Sequence, residues 1–296
     1  MKKIIIALGV VLSLGFMTSC NDDDNIADIL LGGSDSTDTN IADGLKEALR
    51  VGTDTATSIL GLEDGYFRDE AVKILLPDDV ENAISSLQSR SITVPNPTPF
   101  SNDIVITGQQ LFEGVTIPGI IDIPSLADRQ DDLILGINRA AEAAANEAGP
   151  IFGDAISNIT IQDANNILFG GVDTAATNFL RVNTFDDLFT NFEPRIEDAL
   201  NTIQVGNVSV VDEYESFVNS YNDILNTSIP TGLASSANLS DLANLTPIGA
   251  ADLSEFSTGE ALNGLFLKVS EEEANIRENP LARVTDLLAD VFGQLD

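Results

Sequence analysis

Two adjacent glutamates, Glu272 and Glu273, lie within an apolar helical pattern and are the carboxylates best placed for chemistry. The pattern starts near Thr258, and its apolar members recur every three or four positions: Ala261, Leu262, Leu265, Phe266, Val269 and Ile276. Side chains with this spacing share one helix face, which a folded protein buries. Because a buried carboxylate needs a cation or a proton, we predict that both glutamates point at the core and that Glu272 pairs with a basic residue.

Basic residues are scarce, which limits the choice of partner. The chain has 14 Lys and Arg against 47 Asp and Glu. The candidates for a buried polar cluster with the two glutamates are Lys46, Arg50, Lys73, Arg139, Arg181 and Arg277. Two interpretations stay open: an ion pair that fixes the register of the helices, or a polar pocket that admits a small anion or a metal ion.

Most familiar catalytic constellations are absent from the sequence. The chain has no histidine, which excludes Ser-His-Asp triads and the commonest metal ligand. Residues 35–44, DSTDTNIADG, resemble a calcium loop only superficially, because Gly44 comes one residue too late and no glutamate closes the loop. We therefore predict no catalytic residue, no metal site and no cofactor.

The single cysteine, Cys20, ends an apolar leader. Lys2 and Lys3 precede the apolar run from Ile4 to Phe16, which is typical of a secretion signal and too short to span a bilayer. Together with the small residues before Cys20, this leader resembles the lipobox of bacterial lipoproteins, which implies cleavage before Cys20 and acylation of its thiol. The alternative is an ordinary cleaved leader with a chance cysteine.

The residues after the cysteine predict a tether and an address. Residues 1–19 are the predicted signal peptide, 20–39 an acidic flexible tether, and 40–296 one helical domain. The acidic run from Asn21 to Asn25 resembles tags that send lipoproteins to the outer face of the outer membrane, although a solvated linker would look the same. We expect a lipid-anchored outer-membrane protein, facing either the periplasm or the outside, with the membrane as a partner through Cys20.

The charge of the chain excludes one class of partner. The formal net charge is −33 at pH 7, so nucleic acid is not an expected partner. The same charge repels anionic lipid, and attachment is therefore expected to come from the acyl group. A hydrophobic fraction of 43% is enough for a folded core.

Helical spacing dominates from Asn40 onward and predicts an all-α, single multi-helix bundle-like domain. The first helix is expected to begin at an N-cap at Asn40, and an alanine-rich central helix is expected to begin near Ser125 to Ala127. Capping pairs are predicted at Thr160 with Asp163, Thr184 with Asp187, and Ser257 with Glu260. A kink or restart is expected at Pro194, and a loop from Pro230 to about Ala251.

Residues 91–127 interrupt this pattern. Their β-rich stretches are broken by prolines, which predicts an inserted arm or irregular hairpin and not a central sheet. The insertion is the expected contact region for a protein partner.

Several long segments resemble a bacterial domain-of-unknown-function family, number 4197 in that series. These are IADGLKEALRVGTDTATSILG, INRAAEAAANEAGPIFGDAI, GGVDTAATNFLR and EALNGLFLKVSEEEANIRENP. The resemblance covers most of the chain from Ile41 to Gly293 and implies an exported, largely helical domain. It implies no reaction and no catalytic residues, and residues 91–127 and 230–247 depart from the family pattern.

Three functions are consistent with these features. The first is a non-enzymatic binding or scaffolding domain of the cell envelope. The second is a carboxylate-based hydrolase or metal-dependent enzyme that uses Glu272, Glu273 or Asp173 near a basic residue, which requires an open cleft. The third is a carrier of a small apolar ligand, which requires an internal cavity.

Overall fold

Three helices of 26 to 28 residues form the centre of the structure. They are α1 (Gly33–Leu60), α7 (Ala175–Thr202) and α10 (Leu253–Glu278). The computed structural model describes residues 33–96, 102–232 and 235–295. Helix α10 packs against α1 and α7, and the fourth long helix, α4 (Ala127–Ala145), packs against α7.

Shorter elements surround this centre. The remaining helices are α2 (Asp78–Gln88), α3 (Gly108–Glu113), α5 (Ala148–Ser157), α6 (Ile161–Phe169), α8 (Val210–Leu225), α9 (Leu239–Ala243) and α11 (Asp286–Phe292). Four two-stranded antiparallel hairpins join β1 (Ser91–Val94) with β2 (Ile104–Thr107), β3 (Val115–Ile117) with β4 (Ile121–Ile123), β5 (Gln204–Val205) with β6 (Val208–Ser209), and β7 (Ser228–Gly232) with β8 (Ser235–Asn238). The prediction of an all-α fold is confirmed.

The alanine-rich helix α4 occupies the interior. Ala140, Ala141, Ala144 and Ala145 are all buried, since small side chains let several helices approach it closely. Helix α4 packs against α7, α8 and α10.

Helix α1 begins earlier than predicted. It starts at Gly33, so residues 33–39 are helical and Asn40 lies inside the helix. The polar composition of this stretch favours a linker, but α6 and α11 both pack against α1, and tertiary packing overrides weak propensity. The calls on residues 1–32, including Cys20, lie outside the described residues.

One of the three predicted capping pairs is confirmed. At the start of α6, the Asp163 amide donates to Thr160 Oγ1 at 3.2 Å and the Thr160 amide donates to Asp163 Oδ2 at 3.1 Å. The pair Thr184 and Asp187 is wrong, because both residues lie inside α7 and the buried Thr184 hydroxyl donates to Leu180 O. No restart occurs at Pro194 either, since α7 continues through it to Thr202.

The capping pair predicted at Ser257 and Glu260 is also wrong. Helix α10 begins at Leu253, where the Asp252 side chain accepts the amides of Ser254 and Glu255. Ser257 therefore lies one turn inside the helix and is buried. Its hydroxyl has no hydrogen-bond partner within the described part of the chain.

The described residues of the insertion, 91–96 and 102–127, are held against the rest of the domain. Its helix α3 packs against α2, and Leu111 and Phe112 of α3 are buried. The Gly108 amide donates to Arg90 O at 2.7 Å, and a Cβ at Gly108 would lie only 1.8 Å from Leu87 O. The predicted arm is thus a pair of hairpins and a short helix held against the body.

The loop predicted from Pro230 to Ala251 is partly ordered as regular structure. Strands β7 and β8 pair between Ser228 and Asn238, and helix α9 follows directly. The short lengths of these elements gave no helical or alternating period in the sequence. None of the helices in the described ranges is long and apolar enough to cross a membrane.

All three tyrosines of the chain are buried, which predicts a characteristic alkaline transition. Burial raises the pKa of Tyr66, Tyr214 and Tyr221 above the usual value of about 10, with a further contribution from Glu142 at Tyr66. The unfolded chain therefore loses phenolic protons at a lower pH than the folded chain. The stability that depends on the neutral phenols is complete below about pH 10 and is lost as the pH rises above it.

An alkaline titration followed by tyrosinate absorbance and by circular dichroism tests this prediction. We expect the tyrosines to ionise together as the helices unfold, and Tyr66→Phe to make the fall of stability with pH less steep, because one linked proton is removed. A tyrosine that titrates near its usual pKa while the helices stay intact would contradict it.

Candidate functional site

The buried carboxylate of α10 belongs to Glu273, and its side chain caps another helix. Glu273 is 7% exposed. Its Oε1 accepts the Ala176 amide at 3.0 Å, and its Oε2 accepts the Thr177 amide at 2.8 Å and the Thr177 hydroxyl at 2.7 Å. These amides belong to the first turn of α7, whose own N-cap residue, Thr174, makes no side-chain capping bond. Glu273 thus satisfies donors that a helix start leaves unpaired.

Arg277, one turn further along α10, completes the arrangement. Its Nη2 lies 2.9 Å from Glu273 Oε1, and its Nε lies 3.0 Å from the same atom. The guanidinium also donates to the carbonyls of Ile167 at 3.2 Å and Leu168 at 3.4 Å. These carbonyls are in the last turn of α6, where a helix leaves acceptors unpaired and favours positive charge.

Glu273 and Arg277 together form what we call the α6–α7 clip. The anion meets the start of α7 and the cation meets the end of α6, so each charge is matched to a helix terminus as well as to the other charge. With five donors on its two oxygens, the Glu273 carboxylate has little capacity left for a ligand. The clip holds the connection between α6 and α7 in place.

A second buried carboxylate, Glu142 of α4, holds the turn after α1. Its Oε1 accepts the amides of Tyr66 and Phe67, each at 3.2 Å, and its Oε2 accepts Arg139 Nη1 at 2.6 Å. Arg139 also pairs with Asp64 at 2.6 Å. The arrangement has the same parts as the α6–α7 clip: two consecutive backbone amides, one carboxylate and an arginine from the same helix.

Asn138 of α4 extends this second arrangement. Its side-chain nitrogen donates to Ile74 O at 2.7 Å, and its side-chain oxygen accepts the Ile74 amide at 2.9 Å. The sequence reasoning missed both Asn138 and Glu142. The available signal was that each is a polar residue on a helix predicted to be packed on several sides.

The prediction that Glu272 forms the buried pair is wrong by one residue. Glu272 is half-buried and lies against Gly52 of α1, where an added Cβ would be 3.9 Å from Glu272 Cβ. No ion pair or hydrogen bond of its side chain occurs among the residues that the structure describes. Successive residues on a helix point about 100° apart, so only Glu273 faces the start of α7.

The six predicted basic candidates do not gather at one place. Only Arg277 meets Glu273, and Arg139 belongs to the Glu142 arrangement. Lys46 donates to Ser157 O, and Arg50 pairs with Glu47 and Asp54 on the surface. Lys73 lies over the Phe67 ring. Arg181 donates to Asn263 and lies over the rings of Phe185 and Phe266. Arg139 also approaches the Phe67 ring, so Lys73 borders the Glu142 arrangement. The predicted cluster is thus two separate structural sites and three scattered contacts.

The space beside Glu273 is very small. A cavity of about 10 Å³ lies between α1 and α10, and Leu45, Val269, Glu273 and Ile276 are among the residues that line it. This volume is close to the minimum that holds one water molecule. The cavity cannot hold a ligand.

A wide groove of about 760 Å³ lies on the surface between α5, α6 and α7. Its polar lining includes Asp154, Asp163 and Asp187 beside three asparagines. Hydrogen bonds from Thr160 lower the pKa of Asp163, so this carboxyl does not serve as a general acid near neutral pH. No group of three or more His, Cys, Asp or Glu in the described ranges has an arrangement suited to a metal ion.

One protein family matches most of the chain. The family described as "Protein of unknown function (DUF4197)" matches residues 35–94 and 120–293. The chain belongs to this family. The matched ranges contain Glu142, Glu273 and Arg277. The stretch between the two matched ranges, residues 95–119, is shorter than the stretch 91–127 that was predicted to depart from the family.

The family's description gives no activity. No curated protein and no solved structure matches the chain. The features that bear on function are the leader sequence, the buried carboxylates and the exposed side chains.

Proposed function

We propose that this DUF4197 protein is a lipid-anchored cell-envelope protein that acts by binding or scaffolding and not by catalysis. The anchoring part is supported by the leader that ends at Cys20. The non-enzymatic part is supported by one observation: each of the two deeply buried glutamates binds two consecutive backbone amides and an arginine. Their role is to position helices and turns.

The residues of the hydrolase alternative lie in three different environments. Glu273 is sealed in the α6–α7 clip, Glu272 is half-buried against α1, and Asp173 is exposed in the turn before α7. Paired carboxylates in glycoside hydrolysis flank one open space. Glu273 is buried and its oxygens are occupied by α7 and Arg277, so it does not flank an open space of this kind among the described residues, and the geometry favours binding.

The carrier alternative lacks support from the cavity beside Glu273. A drug-sized ligand occupies roughly 300–1,000 Å³, whereas that cavity has about 10 Å³. The spaces of suitable size are surface grooves with many polar residues.

The address of the protein is part of the proposal. We infer an outer-membrane location with possible outward display from the acidic run Asn21–Asn25 after the lipidated cysteine. Protease treatment of intact cells tests the orientation. Outward display predicts cleavage without breaking the membrane, and protection until the membrane is broken would contradict it.

The insertion as a protein contact remains a prediction. Its large apolar side chains are mostly packed against the body, but Val105 on β2 is exposed. A partner would therefore contact the outer surface of the β1–β2 hairpin.

Crosslinking in envelopes followed by affinity capture of the acylated protein tests the binding role. The matched control is a fusion of residues 1–32 to an unrelated domain, which separates partners of the leader from partners of the folded domain. We expect a partner that the fusion does not retrieve. Val105→Asp should lose a partner that contacts the insertion, whereas Val208→Asp, at an exposed valine in another hairpin, should keep it.

Two outcomes would count against the proposal. One is capture no greater than that of the fusion. The other is hydrolysis of a surface glycan or phosphoester by the purified protein that disappears in Glu272→Gln or Asp173→Asn.

A further inference from the structure

Four exposed apolar side chains lie on two turns beside the α6–α7 clip. Leu281 is 91% exposed and Val284 is 69% exposed in the turn after α10, and Phe169 and Val172 are each about half exposed between α6 and α7. Isolated exposed apolar residues are common on protein surfaces, but a group of them marks a contact. We call these four residues the apolar end.

Hydrogen bonds fix both turns to the same part of α10. Leu168, next to Phe169, accepts a bond from Arg277, and Ala176, close to Val172, donates to Glu273. In the other turn, Arg283, next to Val284, donates to Arg277 O at 2.9 Å. Both turns therefore lie at the carboxyl end of α10.

The start of α1 lies at this same end. Gly52 is opposite Val269 and Glu272, while Leu45, earlier in α1, lines one cavity with Ile276, later in α10. The two helices are thus antiparallel, and α1 runs back past the end of α10. Gly44 contacts Val291 of α11, which follows the turn that carries Leu281 and Val284.

The length of chain before α1 limits how far this end can be from an anchored Cys20. Helix α1 begins at Gly33, and a chain from residue 20 to residue 33 spans at most about 45 Å when fully extended. Because α1 starts at this end and leads away from it, the apolar end lies nearer to the attachment point than the far end of α1 does. An acyl anchor keeps the domain next to the bilayer, so the effective concentration of the apolar side chains at the lipid surface is high. Contacts that are weak by themselves then form with the lipid.

We propose that the apolar end rests on the bilayer, with Leu281 and Val284 inserted at the boundary between headgroups and acyl chains. This inference rests on the proposed acylation of Cys20. The net charge of −33 disfavours an anionic lipid surface, so the partner is a bilayer with no net charge. The α6–α7 clip then has a role in function, because it holds the turn of Phe169 and Val172 at the end of α10 that continues into Leu281 and Val284.

The absence of tryptophan from the chain makes a direct test possible, since one introduced indole is the sole tryptophan reporter. We would introduce Leu281→Trp or Val284→Trp into the full acylated protein and add it to phosphatidylcholine vesicles with brominated acyl chains. The matched control is Leu62→Trp. Leu62 is also exposed but follows the other end of α1, about 40 Å from Gly33 along a helix of this length.

We expect blue-shifted emission and quenching by bromine for Leu281→Trp and Val284→Trp, and neither for Leu62→Trp. Replacing part of the lipid by phosphatidylglycerol should weaken the quenching at low salt. Protein that carries the acyl mass and floats with the vesicles, but shows no quenching at either position, would overturn the contact alone. A blue shift without quenching would indicate contact with protein and would also overturn it.

A failure of the anchor gives a different result. Protein without acyl mass on Cys20 that does not float with vesicles would refute the proposed anchoring, and the membrane contact that rests on it. Mass spectrometry and flotation on the same sample distinguish the two cases.

Discussion

Replacing Cys20 by serine should move the protein from the membrane fraction to the soluble fraction. A serine hydroxyl cannot take the thioether-linked lipid, and no other cysteine is present to replace it. Each buried methylene of an acyl chain contributes about 0.8 kcal/mol to membrane binding, so two chains provide nearly all of the attachment. The apolar end alone has only four side chains, and the negative charge of the chain is repelled by anionic lipids. It should therefore not retain the protein at the membrane.

Fractionation of cells, intact mass of the purified protein and labelling with an alkyne fatty acid measure this effect. Ser19→Ala is the matched control, since a small residue before the cysteine is kept and the thiol is unchanged. We expect label and membrane retention in the control and neither in Cys20→Ser. Equal membrane retention of both variants without label would mean that the folded domain binds the membrane by itself and would contradict the lipoprotein assignment.

The fold followed from sequence where the signal was both local and periodic. Helix α4 begins at Ala127, within the range predicted for the alanine-rich helix, and the capping pair of Thr160 and Asp163 has the predicted bonds. The alanine spacing in α4 correctly predicted burial on several sides. In these cases the residues that specify the element lie within it.

The same local signals failed where tertiary packing decided. Thr184 and Asp187 have the spacing of a capping pair, but Leu180, Leu188 and Phe192 form one buried stripe that continues α7 through them. At residues 33–39 the polar composition suggested a tether, but these residues continue the helix α1 that packs against α6 and α11. A capping pattern is therefore informative only where the apolar period also changes.

The candidate site was predictable to within one residue but not in its meaning. The apolar pattern placed two glutamates near the core and made Arg277 a candidate partner. Which glutamate is buried depends on where the start of α7 lies, and no sequence period contains that information. The use of a side chain from one helix to cap another is a tertiary relation, which is also why Glu142 was missed.

Replacing Glu273 by glutamine should destabilise the folded protein by about 3–5 kcal/mol. The glutamine has nearly the same size, but its amide nitrogen is a donor and would face one of the amides of Ala176 and Thr177. Arg277 would stay buried without its counterion. Loss of charge therefore affects the start of α7, the end of α6 and the cation in one step.

Urea unfolding of the unacylated Cys20→Ser protein, followed by circular dichroism, measures the free energy of unfolding. Glu272→Gln is the matched control. Glu272 is next to Glu273 in the sequence but is only half-buried, and its side chain makes no bond in the described structure. The control should change the free energy of unfolding by no more than about 0.5 kcal/mol. A similar small change in Glu273→Gln would contradict the α6–α7 clip.

A double-mutant cycle separates the clip from two independent contacts. Arg277→Met keeps an unbranched apolar side chain under the Phe292 ring, which the guanidinium approaches to 5.9 Å, but leaves the carbonyls of Ile167 and Leu168 without their donor. In the double variant no buried charge remains unpaired, so its loss of stability should be smaller than the sum of the single losses. Additive losses would mean that Glu273 and Arg277 act separately on α7 and α6. A clear shortfall would show that the two charges act as one unit, as their position between two helix termini requires.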